Sequence, residues 1–380
     1  MAAVDTRLGF IEAPWPSWNT PCLSRNPEHT GKLPAWINKI ISAWRSKGDK
    51  TEQLQPAPKD PAQHEALLRR GSVLSMLSTK SGAEINNYTA KYFGNAADAV
   101  TSDRINRNAD DITQNIQIAG TLSKQVQLLV RNTIQTGCTP IVFATGRIPA
   151  LGSIAGHGMA ASDMGILDVG DASSVCLVYL DLFANMDSDI LDYTQYSTRC
   201  PAAFLLKESF GNIPKKFPGF EWLRPWLGFR RVAVIGLQKP SESEIAFLES
   251  KKIHYCTCDD LASRGAVDTI KTALNAINPR NDLPIHLSIN AFAVDFALEA
   301  RVWPEGHRKI LAVEALDIVK IIVKTGMLGA LDILEVEQLP IEDQENAASV
   351  FNEILQRVAV QTRIPYPPRL PAPEALSADF

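Results

Sequence analysis

The side chains best equipped for chemistry sit just after short apolar runs. Arg147 follows the run at 141–143, within Ala144-Thr-Gly-Arg-Ile-Pro149. Asp181, Phe183 and Asn185 follow 175–180. Asn290 and Phe292 follow 285–289, and Asp332 and Glu335 lie in 331–336. This set offers carboxylates, amides, phenyl rings and one guanidinium that never deprotonates. A guanidinium among buried carboxylates makes an ion-pair centre, and a buried carboxylate with a free cationic neighbour can grip an amine or a guanidino group. The plainer reading of Asp181 and Glu335 is a strand-end carboxylate held by local hydrogen bonds. His254, Cys256 and Cys258 alternate and could share one strand face as soft-metal donors, although a buried cysteine more often packs as a small hydrophobe. Cys22 and Cys200 fall in loops, as redox-sensitive or inert thiols. His157 reads as a core residue. The glycines at 146, 152, 156 and 158 make no phosphate-binding fingerprint.

Elements that could present such residues follow from the pattern. The chain has 380 residues, of which 45% are hydrophobic and 21% charged, which excludes whole-chain disorder. Its 38 basic and 42 acidic residues give a net charge of −4, which argues against a nucleic-acid-binding surface spread over the chain. No apolar run approaches the ~18 residues of a membrane span. The N-terminus lacks a secretory pattern and the C-terminal Ser-Ala-Asp-Phe is no peroxisomal address. Six cysteines without framework spacing point to a reducing, cytoplasmic setting.

Strands are expected at 7–12, 141–143, 175–180, 231–236, 252–258, 285–290 and 331–336. Helices are expected near 35–44, 62–79, 84–98, 111–136, from 150, and at 200–209, 241–251, 263–277, 308–325 and 343–360. Continuous apolar strands alternating with helices predict an α/β fold, with a largely parallel sheet covered on both faces in three layers. Residues 13–60 read as a surface insertion in a single domain spanning 1–380. The tail 364–380 carries five prolines and reads as an extended arm, free or laid on a neighbouring subunit. Ligands in such sheets bind at the carboxyl ends of strands. Period-two alternation would bring Asp181, Phe183 and Asn185 together there, and Asn290 with Phe292.

From about 141 to 358 the order and spacing of these segments resemble the ureohydrolase family, the arginases in particular. The resemblance rests on Ala150-Leu-Gly-Ser-Ile-Ala-Gly-His157, Phe204-Leu-Leu-Lys-Glu208, Pro218-Gly-Phe-Glu-Trp222, Val234-Ile-Gly-Leu237, Ile285-His-Leu-Ser288 and Lys324-Thr-Gly-Met-Leu-Gly-Ala-Leu-Asp-Ile-Leu-Glu-Val336. It implies an arginase-like α/β fold, assembly as a trimer or hexamer, and hydrolysis of guanidino compounds by a hydroxide between two Mn²⁺ ions.

The metal motifs depart from that family. Its Gly-Gly-Asp-His-Ser falls on 144–148, so Arg147 replaces a histidine ligand. Its Asp-Ala-His-Thr-Asp falls on 181–185, which keeps Asp181 but carries Phe183 and Asn185. Its Ser-Phe-Asp-Val-Asp falls on 288–292, with Asn290 and Phe292 for the two aspartates. Its catalytic loop histidine falls on Thr198, and the aspartates that orient the substrate amino group fall on Lys239 and Ser241. Glu335 stands where arginases grip the guanidinium. A site of this composition would repel rather than hold a dication. The expectation is therefore a pseudoenzyme with no manganese and no other cofactor, its Arg147 paired with Asp181. Its role would be binding, regulation or assembly, with itself or with an active relative. The alternative is metal-independent chemistry on a guanidino or amine compound, with Asp181, Thr198 and Glu335 as the available parts.

Overall fold

A computed structural model describes residues 6–13, 33–48, 88–96, 112–166, 173–184, 186, 201–206, 219–297, 301, 303–304, 306–361 and 365–366. The elements run β1 (Thr6–Ala13), α1 (Ala35–Gly48), β2 (Tyr88–Asn95), α2 (Ile112–Gln135), β3 (Thr139–Ala144), α3 (Pro149–Asp163), β4 (Cys176–Leu180) and α4 (Pro201–Leu205). They continue with β5 (Val232–Leu237), α5 (Glu242–Lys251), β6 (His254–Thr257), α6 (Cys258–Arg264), α7 (Ala266–Ile277), β7 (Ile285–Asn290), β8 (Val294–Asp295), β9 (Ile310–Leu311), α8 (Ala312–Lys324), β10 (Leu328–Leu334) and α9 (Ile341–Ala359). An eight-stranded parallel sheet has the order β2-β1-β3-β10-β7-β4-β5-β6, and β8 pairs with β9. This is the α/β architecture expected, with helices over both faces.

The strands are buried because both faces are covered. Their side chains alternate between two apolar layers. Ile141, Phe143, Val178 and Leu180 face α1, α6, α7, α8 and α9. Val142, Ala144, Leu177 and Tyr179 face α2, α3, α4 and α5. The contact of α2 with α3 is close. A Cβ on Gly152 would meet the Ser123 carbonyl oxygen at 1.9 Å, and one on Gly156 the Gln127 oxygen at 2.5 Å, so glycine at this i, i+4 spacing lets the two backbones approach.

Several expectations need correction. The helix expected at 84–98 is strand β2 over its described part, paired with β1 from Thr6↔Tyr88 onward. Its Tyr-Thr-Ala-Lys-Tyr-Phe content suits a strand, and a partner far off in sequence decides the matter. Helix α1 is not a surface feature: Ile37, Ile40, Ile41 and Trp44 lie in the core, and Trp44 Nε1 donates to Asn352 Oδ1 of α9 at 3.0 Å. The helix expected at 263–277 is divided into α6 and α7 by Gly265, at φ 80°. Cys258 opens α6 instead of ending β6. The tail is not simply a free arm, because Tyr366 is buried against its own chain. The helix expected at 62–79 lies outside the described residues.

Candidate functional site

The four central strands end side by side, and that edge positions the expected residues. Leu334 of β10 is in register with Asn290 of β7, and Leu180 of β4 with Ile289. Glu335 therefore follows the end of β10, Asp181 follows β4, and Asn290 closes β7. Arg147 lies in the turn between β3 and α3. Glu335 adopts a left-handed backbone, φ 54°, which non-glycine residues enter at a cost.

These four side chains form one buried cluster. Arg147 donates from Nη2 to Asp181 Oδ1 at 3.0 Å, and its Nε lies 3.1 Å from Glu335 Oε2. Asn290 Nδ2 bridges the same carboxylates, at 3.1 Å to Asp181 Oδ1 and 2.5 Å to Glu335 Oε2. Asp181 Oδ1 also accepts from the Leu182 amide at 2.7 Å, and Gln338 donates to Glu335 Oε1 at 3.1 Å. Arg147 is 7% exposed, Asp181 4% and Glu335 9%. One guanidinium thus serves two carboxylates. Burial pushes the Asp181 carboxyl up to about 6, against the pull of Arg147 and with the help of Glu335. The ion pair anticipated between Arg147 and Asp181 is present.

The alternation expected beyond the strand ends does not hold. Asp181 turns inward while Phe183 is 40% exposed, with the Arg147 guanidinium carbon 6.0 Å from its ring centre. Residues 291–293 form a 3-10 turn in which Asn290 Oδ1 accepts from the Phe292 amide at 2.9 Å. Phe292 diverges to meet Lys309, whose Nζ lies 3.9 Å from the ring centre and 6.0 Å from that of Trp303. Such an ammonium over aromatic faces is a cation–π contact. Asn185 and Thr198 lie outside the described residues. Ser241 caps α5, accepting from the Glu244 amide, and Lys239 sits in the preceding turn at φ 43°. Cys256 and Cys258 contact separate carbonyls, of Thr257 and Gly236, and burial pushes their thiols up to about 11 and about 12. Among the described residues no group of three His, Cys, Asp or Glu is placed to hold a metal ion.

A second polar chain, deeper in the sheet, escapes sequence reading. Ser153 Oγ donates to Asp332 Oδ1 at 2.6 Å, and His286 Nε2 lies 2.8 Å from Asp332 Oδ2. His286 Nδ1 is 3.1 Å from His157 Nδ1, and His157 Nε2 meets the Tyr366 hydroxyl. With Asp332 as a carboxylate and both imidazoles neutral, one set of donor directions satisfies every link. His286 gives its Nε2 proton to Asp332, His157 gives its Nδ1 proton to His286, and Tyr366 gives its hydroxyl proton to His157. Burial drives His157 well below, and Tyr366 well above, its ordinary range. His286, Ser288 and Asn290 alternate along β7, so one strand face carries both polar groups. That spacing was the available signal for His286. Nothing in the spacing of Tyr366 or Lys309 marks either one.

An all-parallel α/β sheet with charged groups gathered at its carboxyl edge belongs to the class of α/β folds in which ligands bind beyond the strand ends. The Arginase family profile matches residues 73–360, and the chain belongs to that family. Arginase-1 of Sus scrofa is 25% identical over 297 residues, covering 78% of this chain and 84% of its own length. Arginase-1 of Homo sapiens matches to the same extent. The cold-adapted arginase of Glaciozyma antarctica superposes with a TM-score of 0.58 at 18% identity, over 94% of this chain and 95% of its own. The formimidoylglutamase of Bacillus subtilis gives 0.58 at 13%, over 94% and 88%. These structures share the fold.

Proposed function

We propose that this chain is an arginase-family pseudoenzyme, a single domain that does not hydrolyse guanidino compounds and that works by binding or assembly. The observation that carries this reading is the position of Arg147. Its guanidinium is buried between Asp181 and Glu335, at 3.0 and 3.1 Å. Two Mn²⁺ ions call for anionic oxygen and imidazole donors. The described part of this site supplies two carboxylates already paired with a fixed cation, one amide, and the rings of Phe183 and Phe292, which have no lone pairs to give. The donor set does not fit a binuclear manganese centre. The same cluster speaks against metal-independent chemistry, because Asp181 and Glu335 are both engaged by Arg147 and Asn290.

Assembly with itself, as the trimer or hexamer implied by the resemblance, or with an active relative, gives such a protein a role without turnover. A cytoplasmic setting is supported by the buried, reduced thiols of Cys256 and Cys258. Among the described residues no helix is long and apolar enough to cross a membrane. The test is urea release from arginine and from agmatine by the purified chain incubated with Mn²⁺. The expected rate is that of the protein-free control, and turnover above it overturns the proposal.

A further inference from the structure

Two surfaces on the helix layer that carries α7, α8 and α9 have opposite charge and matching apolar centres. The first is a groove between α7 and α8, a hollow of about 520 Å³ lined by Val267, Lys271, Asp317, Lys320, Ile321 and Lys324, with Thr325 at its end. Asp317, Lys320, Ile321 and Lys324 share one face of α8 by their spacing. Lys271, Lys320 and Lys324 are exposed around the half-buried Val267 and Ile321, so the lysines outnumber the single carboxylate.

The second surface is the first turn of α9. Ile341 is 84% exposed, far beyond the other large apolar side chains described, and exposed Glu342 and Glu345 flank it. The amphipathic pattern of α9 does not account for Ile341. It lies nine residues before Val350, about two and a half turns, and so on the side of α9 opposite that residue, outside the stripe of buried side chains. An isoleucine held in water between two carboxylates has the form of a contact knob, and the lysine-rimmed aliphatic groove has the complementary form.

We propose that Ile341 of one copy seats between Val267 and Ile321 of a second copy, with Glu342 and Glu345 facing Lys271, Lys320 and Lys324. This rests on the self-assembly reading above and names the surfaces that perform it. Knob and groove use different residues, so every chain offers both, and the contact closes as a reciprocal pair or as a ring. Opposed charges at its rim make the contact weaken as salt rises past the range where the screening length is about 10 Å.

The test is multi-angle light scattering on the full chain over a concentration series, with circular dichroism to check folding. Wild type is expected to assemble. Ile341→Asp and Lys320→Glu/Lys324→Glu each place a charge at the contact and are expected to raise the dissociation constant about 100-fold. The combined reversal K320E/K324E/E342K/E345K restores opposite signs and is expected to return within about ten-fold of wild type. If a variant is misfolded by dichroism, Ile341→Ser or the single K324E replaces it. Assembly of wild type that neither variant weakens overturns this contact and leaves the self-assembly reading standing. Weakening that the combined reversal does not repair also overturns the contact. A monomeric wild type overturns both.

Discussion

Arg147 decides the chemistry of the strand ends, because a cation that cannot lose its proton holds two buried carboxylates together. Removing one member of a buried ion pair costs more than the pair is worth, since the partner is left charged and unsolvated. Arg147→Ala is therefore expected to destabilise the fold by about 3–5 kcal/mol, read from urea unfolding at pH 7. A variant within 1 kcal/mol of wild type would contradict the cluster. Asp181 gives a sign that can be tested separately. Burial pushes its carboxyl up to about 6 in the folded chain, above the ordinary value of 3.8 that holds for the unfolded one. Between those values the folded state binds more protons, so Asp181 contributes stability below about pH 4 that is lost as pH rises towards 6. That rise corresponds to roughly 2–3 kcal/mol. Urea unfolding from pH 4 to 7 should show that loss in wild type and a flatter profile in Asp181→Asn; parallel profiles would remove the assignment. The residues of this cluster were legible in the sequence because each stands at or just beyond the end of an apolar strand. The divergence of Phe183 and Phe292 was not, because alternation stops where the strand stops and a 3-10 turn takes over.

At the scale of elements, β10, β7 and α3 are joined by the chain from Ser153 through Asp332, His286 and His157 to Tyr366. Gly329 makes room for its last link, since a Cβ there would lie 2.3 Å from the Tyr366 hydroxyl and 2.6 Å from His157 Nε2. Tyr366→Phe leaves the buried His157 Nε2 without its donor and is expected to cost about 1–3 kcal/mol in chemical unfolding. No measurable change would mean that the tail contact contributes nothing to stability. Gly329→Ala should cost more, by collision with both rings. Most elements were readable from periodicity because their apolar faces repeat, as in α9 and α2. Strand β2 departs from the expected helix because, although its tyrosines, threonine and phenylalanine suit a strand, its pairing with the distant β1 cannot be read from local spacing. The break between α6 and α7 rests on a single glycine with positive φ, which a helical pattern tolerates.

For the whole molecule, the sheet order and family membership say what scaffold the chain uses, and the ion-pair cluster at its edge bears on what the scaffold does now. A family fold carries many functions, so the site must make the case. If the backbone of the strand ends is that of a metal site, Arg147→His, Phe183→His, Asn185→Asp, Asn290→Asp and Phe292→Asp combined should recover Mn²⁺ uptake in the micromolar range, and no uptake by any such combination would count against the placement of these positions at a former metal site. The most direct measurement needs no substitution. Purified wild type is dialysed against excess Mn²⁺, desalted, and analysed for metal per chain. Manganese is expected at the level of the buffer blank. Two Mn²⁺ per chain, retained through desalting, would contradict it.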